Sequence, residues 1–547
     1  MRANRRGIVF GALATTALTT LDWPGVARAQ GGGGFSVSGS RGPFIKQVAG
    51  RRFETGGGGG SLALASDAVN LGRYQAARLR MPQTEAKVAQ LLAGIDAQWP
   101  YNKGQPLQVH ILGVDYYNAY SLPDSSIVVA FGLLDDAQSD DEVAFVLAHE
   151  LGHVRLGHFA HQPDTDQRRA QMASQLGQFF AVAQAVPIGG SAGAALNVVN
   201  QAGATNDLIH FLSNVMVEPA HTRDQEDEAD CIGYDLSQAA SYSPDAATAH
   251  VFDVIQADQQ KRDATVNTLD AQLKTQLSQA ITPANAASFM NSSPSDMRTG
   301  LLMGAARLAI GVAAASTGGG SEPQHRPPEE RKRGIAQYSA DAYPAGAPLR
   351  DVQVTWLTAV RGSGEFAQGR LVVAAIADAK RARAGGDYAA ARAALERARQ
   401  TSFAEAPLVL NEAARLADDM GDAATSDRLF VQASQSPDQT VDGYVDHVSM
   451  LYRTRQNERA MQVIQEGVAR FNNDQKPFIS LMIAVARQEG REDQVQGYLR
   501  TCQGYDNAAL IKDCQLAAGE SATAAPGPSL PRLPTSLPSL PFGLPHF

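Results

Sequence analysis

"SDDEVAFVLAHELGHVRLGH", residues 139–158, gathers three of the chain's 11 histidines, His149, His153 and His158, around a single glutamate, Glu150. Apolar residues at Val143, Val146, Leu147, Leu151 and Val154 recur at helical spacing and predict an amphipathic helix. Ser139 followed by Glu142 reads as the capping box at its start. On such a helix His149 and His153, four apart, project from one face. Two neutral imidazoles at that separation can share one divalent ion, most often zinc. Glu150 sits about 100° further round the helix. It is therefore placed to act as a base toward a water beside the ion and not as a further ligand. A helix with surface histidines is the plainer alternative, and it fits poorly because the flanking positions are apolar.

A catalytic zinc takes a third protein ligand. His158 is one candidate. A stronger one lies in "HTRDQEDEADCIGYDL", residues 221–236, where Glu226 and Asp230 are four apart on a second predicted helix. Glu226 would bind the ion while Asp230 bonds the far nitrogen of a ligand imidazole. Alone, "DQEDEAD" would read as a solvated acidic face. Beside the two histidines it reads as the rest of a site for one Zn2+ per chain.

The pair "HELGH" and "EDEAD" resembles the gluzincin metallopeptidases related to CaaX prenyl protease and the heat-shock membrane protease. The nearest likeness is to soluble periplasmic members with tetratricopeptide repeats, of the β-barrel assembly-enhancing kind. The resemblance implies that Glu226 is the third zinc ligand and that Arg223, just ahead of it, belongs to the same motif. "NAYSLPDSSIVVAFGLLD", residues 118–135, looks like the family's edge strand, which implies Asn118 and Ala119 in the substrate cleft. Relatives often carry a His-Pro pair followed by Arg near the end of the catalytic domain. Here Ser293 precedes Pro294, with Arg298 in place, so a restraint supplied by that histidine is expected either to be missing or to come from another group.

The 547 residues carry a formal net charge of −9, which falls to −12 without the basic residues 1–29. That balance argues against a nucleic-acid partner. Residues 1–29 read as a signal peptide, with a basic start, a short apolar run and "ARA" before the cut. Residues 30–64 read as a glycine-rich linker, 65–316 as the metallopeptidase domain, and 317–359 as a second linker of glycine, proline and mixed charge. The polar stretch 250–290 reads as an added lid. The apolar stretches 174–198 and 300–316 are broken by proline, glycine or arginine. They are either buried helices or segments that touch a membrane surface. From 360 to 516, turns at Gly386-Asp387, Gly421-Asp422, Gln456-Asn457 and Gly490-Arg491 are spaced by 35, 35 and 34 residues. That is the period of a tetratricopeptide-like α-solenoid. Residues 517–547 form a proline-rich tail expected to be extended. Cys502 and Cys514 either pair or stay free with Cys231, since spacing alone does not fix pairing.

The expected architecture is mainly α: an α+β zincin-like catalytic domain with a small edge-strand sheet, followed by the repeats. The expected function is zinc-dependent cleavage of unfolded or misassembled envelope proteins, with envelope assembly proteins bound by the repeats. Glu150 is the base. Arg223, Tyr234 and His250 are the candidates for stabilising the oxyanion. The chain would be exported to the periplasm, either free there or held at the outer membrane. The rival is a chaperone or assembly factor in which the repeats dominate, and a third reading is a scaffold without metal.

Overall fold

A computed structural model describes residues 42–49, 78–158, 221–257, 260, 326–346, 351–505 and 508–519, apart from 105, 123–124, 472 and 506–507. Both apolar stretches, the expected signal peptide, Ser293 with Arg298, most of the expected lid and the proline-rich end lie outside these residues. Among the described residues no helix is long and apolar enough to cross a membrane.

The chain opens with a four-residue helix α1 (Phe44–Gln47), then α2 (Pro82–Asp96). Strands β1 (Gln108–Leu112), β2 (Ala119–Ser121) and β3 (Ser126–Ala130) form one sheet in the order β1-β3-β2. β1 runs parallel to β3 and β2 antiparallel to it, with Val109 opposite Ile127 and Ser121 opposite Ile127 on the other side. Strand alternation therefore puts Val109, Ile111, Ile127, Val129, Ala119 and Ser121 on one face. That face meets α4 (Asp140–Leu156), reached through the short α3 (Phe131–Asp136). Val143, Leu147 and Leu151 of α4 pack with Val88, Leu92 and Ile95 of α2 and with Ile111 and Val129 of the sheet. Leu147 and Leu151 are fully buried, and truncating either to alanine costs about 2–5 kcal/mol.

Ser139 caps α4 by accepting a bond from Glu142 N. The reciprocal half of the expected box is replaced. The Glu142 carboxylate accepts from Gln138 N at 3.0 Å and meets His250 Nδ1 at 3.0 Å. Asp140 and Asp141, next in the first turn, accept bonds from the backbone N–H groups of Trp356, Leu357, Gln353 and Ser243. Three buried carboxylates at a helix N-terminus thus fasten distant segments to it, where the helix dipole favours negative charge.

Two stretches expected as linkers contain packed helices. α1 lies within 30–64, yet Phe44 and Val48 are buried, and Ile45 N donates to Asp235 Oδ2 at 2.8 Å. Within 317–359 lies α6 (Pro328–Ala342), and α7 (Thr355–Arg361) begins there and runs past its expected end. α6 starts with Pro328 and an acidic first turn and buries Ile335, Tyr338 and Ala342 against α5 (Arg223–Ala239). Tertiary contacts, not local periodicity, hold both helices in place.

From residue 364 the chain is a succession of helix pairs: α8 (Gly364–Ala384) with α9 (Tyr388–Arg399), α10 (Pro407–Asp419) with α11 (Ala423–Ser434), α12 (Val441–Arg453) with α13 (Asn457–Arg470), and α14 (Ile479–Gln488) with α15 (Glu492–Gln503). Each pair turns on a left-handed residue: Gly386, Gly421, Arg455 and Gly490. A final helix, α16 (Ala508–Ala518), is tied to α15 by the Cys502–Cys514 disulfide, while Cys231 is free and buried. α8 is docked on the unit built from the sheet and α2–α4. Phe366 stacks on Phe131 with ring centroids 4.5 Å apart, and Arg370 Nε bonds Asp135 at 2.8 Å. Arg361 donates to the carbonyls of Leu134 and Ala137, closing the end of α3.

Candidate metal centre

The site forms where α4 crosses α5. Two glycines set how closely they approach. A Cβ on Gly152 would lie 3.3 Å from Ala229 Cα, and one on Gly233 would lie 3.1 Å from His149 N. With only hydrogens at both crossing points, the α5 carboxylates come within reach of the α4 imidazoles.

His149 Nε2 and His153 Nε2 are 3.2 Å apart. Glu226 Oε2 lies 3.7 Å from the first, and Glu226 Oε1 lies 3.5 Å from the second. A tetrahedral zinc with bonds of about 2.0–2.1 Å needs ligand atoms roughly 3.3 Å from one another. The three donors fit that ion, and they are the type that zinc takes. Glu226 and His153 are almost completely buried, and His149 nearly so.

Asp230, one turn beyond Glu226, has Oδ1 2.9 Å from His149 Nδ1, although the ring N–H does not point straight at it. It also receives two bonds from Arg331 of α6, at 2.9 and 2.6 Å. Arg331 Nη2 is 3.8 Å from Glu226 Oε2, and its guanidinium lies over the Phe252 ring at 5.0 Å. Burial opposes the Asp230 carboxylate, but Arg331 and His149 outweigh it and hold its pKa below the ordinary range. Burial likewise opposes the His149 imidazolium. Asp230, Glu226 and Glu150 overcome that effect and raise its pKa. His153 is driven well below its ordinary value by burial and by the neighbouring imidazoles, so it presents a neutral ring with a lone pair to donate.

Glu150 is nine-tenths buried and accepts a bond from Ser121 Oγ at 2.8 Å. Ser121 is the last residue of β2, on the sheet face toward α4. A charge-assisted bond of this kind fixes the carboxylate's direction. Ser121 was not among the residues singled out from the sequence, although strand alternation around "NAYS" would have pointed to it. Ala119 starts the same strand, and Asn118 immediately precedes it. Asn118 O accepts from Ala130 N at 3.0 Å, and its Oδ1 accepts from Ala119 N at 2.9 Å. β2 stands at the edge of the sheet beside Glu150.

Arg223 is the first residue of α5 and is half-buried. Tyr234 and His250 are not brought to the site. The Tyr234 hydroxyl meets Asp245 and Ser339, and His250 bonds Glu142 and Gln138 at the opposite end of α4. Arg331 was missed because its segment reads as a linker by composition. The signal was there in Pro327-Pro328 followed by two glutamates, a helix start.

Residues 80–299, which contain all three donors and Glu150, match the peptidase family M48 profile. This stretch is an M48 domain. The M48 domain is similar to the β-barrel assembly-enhancing protease of Yersinia pestis, 29% identical over 143 residues that make up 26% of each chain. It is also similar to the metalloprotease LoiP of Escherichia coli (strain K12), 30% identical over 26% of this chain and 48% of LoiP. A third relative is the mitochondrial metalloendopeptidase OMA1 of Arabidopsis thaliana, 30% identical over 26% of this chain and 25% of OMA1. The chain thus spans between a quarter and a half of the length of these relatives.

Proposed function

We propose that this chain is a zinc-dependent endopeptidase of the cell envelope that cleaves unfolded or misassembled proteins. The observation that carries this reading is the convergence of His149, His153 and Glu226 on one point, with Glu150 held beside them by Ser121. Zinc, once bound, supplies a positive charge that polarises the scissile carbonyl and makes a neighbouring water more acidic. His149, His153 and Glu226 would hold it, with Asp230, backed by Arg331, placed 2.9 Å from His149 Nδ1 to orient that ring. The edge of β2 binds the substrate backbone as an added strand, next to Asn118 and Ala119. Glu150 takes a proton from the attacking water as its oxygen adds to the carbonyl carbon. The carbon–nitrogen bond then breaks, and Glu150 passes that proton to the departing amine.

The helix pairs from 364 to 503, with their period of about 35 residues, support a tetratricopeptide-like region that binds substrates or envelope assembly partners. The basic, then apolar start of the sequence supports export to the periplasm. A Glu150→Gln variant tests the reading. It should bind one zinc per chain, keep partner binding and lose cleavage of an unfolded substrate such as casein. A wild-type protein that binds no zinc, or a Glu150→Gln protein that cleaves as well as wild type, defeats it. A variant that loses cleavage yet supports envelope assembly fully would favour the chaperone reading.

A further inference from the structure

His153 has partners on both ring nitrogens. Its Nε2 faces His149 and Glu226, while its Nδ1 lies 2.9 Å from His158 Nδ1. His158 Nε2 in turn lies 3.4 Å from Glu228 Oε2. Gly157 explains how a residue just past the helix end arrives there. It ends α4 at φ 70°, in the left-handed region, and His158 N folds back to donate to His153 O at 3.1 Å. Gln225 Nε2 of α5 donates to His158 O at 3.1 Å and fixes the turn. The His221 ring stacks on His153 with centroids 3.7 Å apart. His153, His158 and His221 are all buried.

We propose that His158 is a positioning residue that sets the tautomer and orientation of His153, and that Glu228 sets the tautomer of His158. The proposal rests on the reading of His153 as a zinc ligand. Two nitrogens 2.9 Å apart hold one proton between them. A His153 that gives its Nε2 lone pair to zinc carries its proton on Nδ1. It therefore donates to His158, which must accept at Nδ1 and keep its own proton on Nε2, facing Glu228. With the opposite arrangement His153 Nε2 would point a proton at the ion. Each ligand imidazole is thus steered by a carboxylate of α5: His149 directly by Asp230, and His153 by Glu228 through an intervening ring. The alternation Glu226, Glu228, Asp230 on that helix supplies a ligand and both steering groups.

The test uses the full chain and reads zinc affinity by competition with a chromophoric chelator. Helix content is checked by circular dichroism. His158→Phe keeps a ring but removes the acceptor, and affinity should fall about 10–100-fold, the usual loss for an outer partner of a ligand histidine. His158→Asn restores an acceptor near the Nδ1 position and should recover most of that loss. Glu228→Gln should weaken binding by less than His158→Phe does. The proposal is overturned if His158→Phe binds like wild type, or if His158→Phe and His158→Asn are equally weak, which would mark a packing role. It is also overturned if wild type holds two zinc ions and His158→Phe one, which would make His153, His158 and His221 a second ion's ligands. The wild-type protein measured alongside separates the two readings: no zinc in wild type sinks the metal centre itself. Zinc in wild type with unaltered variants sinks only the relay.

Discussion

Arg331→Met is the perturbation that most directly tests how the centre is held. Arg331 is 8% exposed and Asp230 is 0% exposed, and the two share a pair of bonds at 2.9 and 2.6 Å. Methionine roughly matches the aliphatic stem, but it removes the guanidinium from over the Phe252 ring and leaves the Asp230 carboxylate buried without its cation. Removing one member of a buried ion pair costs about 3–5 kcal/mol, because the remaining charge is uncompensated. Total stability of a folded domain is about 5–15 kcal/mol, so a large share would be lost. The loss should show in urea unfolding followed by tryptophan fluorescence, since Trp99 is buried in the catalytic core and Trp356 packs against it. Chelator in excess removes any contribution from bound metal. Adding Asp230→Asn to Arg331→Met takes away the stranded charge and should recover most of the loss, giving a coupling energy of roughly 2 kcal/mol or more. An Arg331→Met protein within about 0.5 kcal/mol of wild type, or strictly additive single and double variants, would refute the argument; effects that small are typical of exposed positions.

Four further outcomes are expected. Ser121→Ala should leave zinc content unchanged and lower kcat by about ten-fold or more, since a bond to a charged group contributes about 1.5–3 kcal/mol; steady-state cleavage of a fluorogenic peptide measures it. Burial pushes the Asp235 carboxyl up to about 6 despite bonds from Ile45 N, Tyr338 and Tyr343. An unfolded aspartate releases its proton near pH 4, so the stability tied to this group is fully present below that and is lost as pH rises to about 6. Relative to Asp235→Asn, wild type should lose up to roughly 3 kcal/mol across that window in matched unfolding curves. Gly369→Leu should loosen α8 from the catalytic unit, because a Cβ there meets Phe131 at 2.8 Å and Met81 at 2.9 Å; a loss of about 1–3 kcal/mol with faster hydrogen exchange in α8 is the readout. Reducing Cys502–Cys514 should raise exchange in α15 and α16, where a loop of about this size contributes roughly 3 kcal/mol, and should leave α4 and α5 unchanged.

Helix α4 was legible because its signals agree: a capping serine with Glu142 three residues on, followed by apolar residues at helical spacing. The donors followed from the four-residue spacing of His149 with His153 and of Glu226 with Asp230. Their convergence could not be read locally, since it depends on Gly152 and Gly233 meeting across 81 residues of chain. α1 was missed for a related reason. Four residues among glycines have no periodicity, and its place is set by Asp235 and Tyr338, some 190 and 294 positions away. Tyr234 and His250 looked available for chemistry as residue types, but the fold commits both to bonds elsewhere. The turn residues of the helix pairs were read correctly in position, save that the left-handed residue of the third turn is Arg455, one place before Gln456.

The order of these parts along the polypeptide has a consequence for biosynthesis. The three candidate donors are complete once residue 226 has been made, but the guanidinium that pairs with Asp230 comes about a hundred residues later, at position 331. A chain still emerging from the ribosome therefore lacks the partner of Asp230 until α6 has been made. The carboxylate beside the His149 ring thus gains its doubly hydrogen-bonded guanidinium partner only when α6 has been added, so that corner of the centre is the last to be completed.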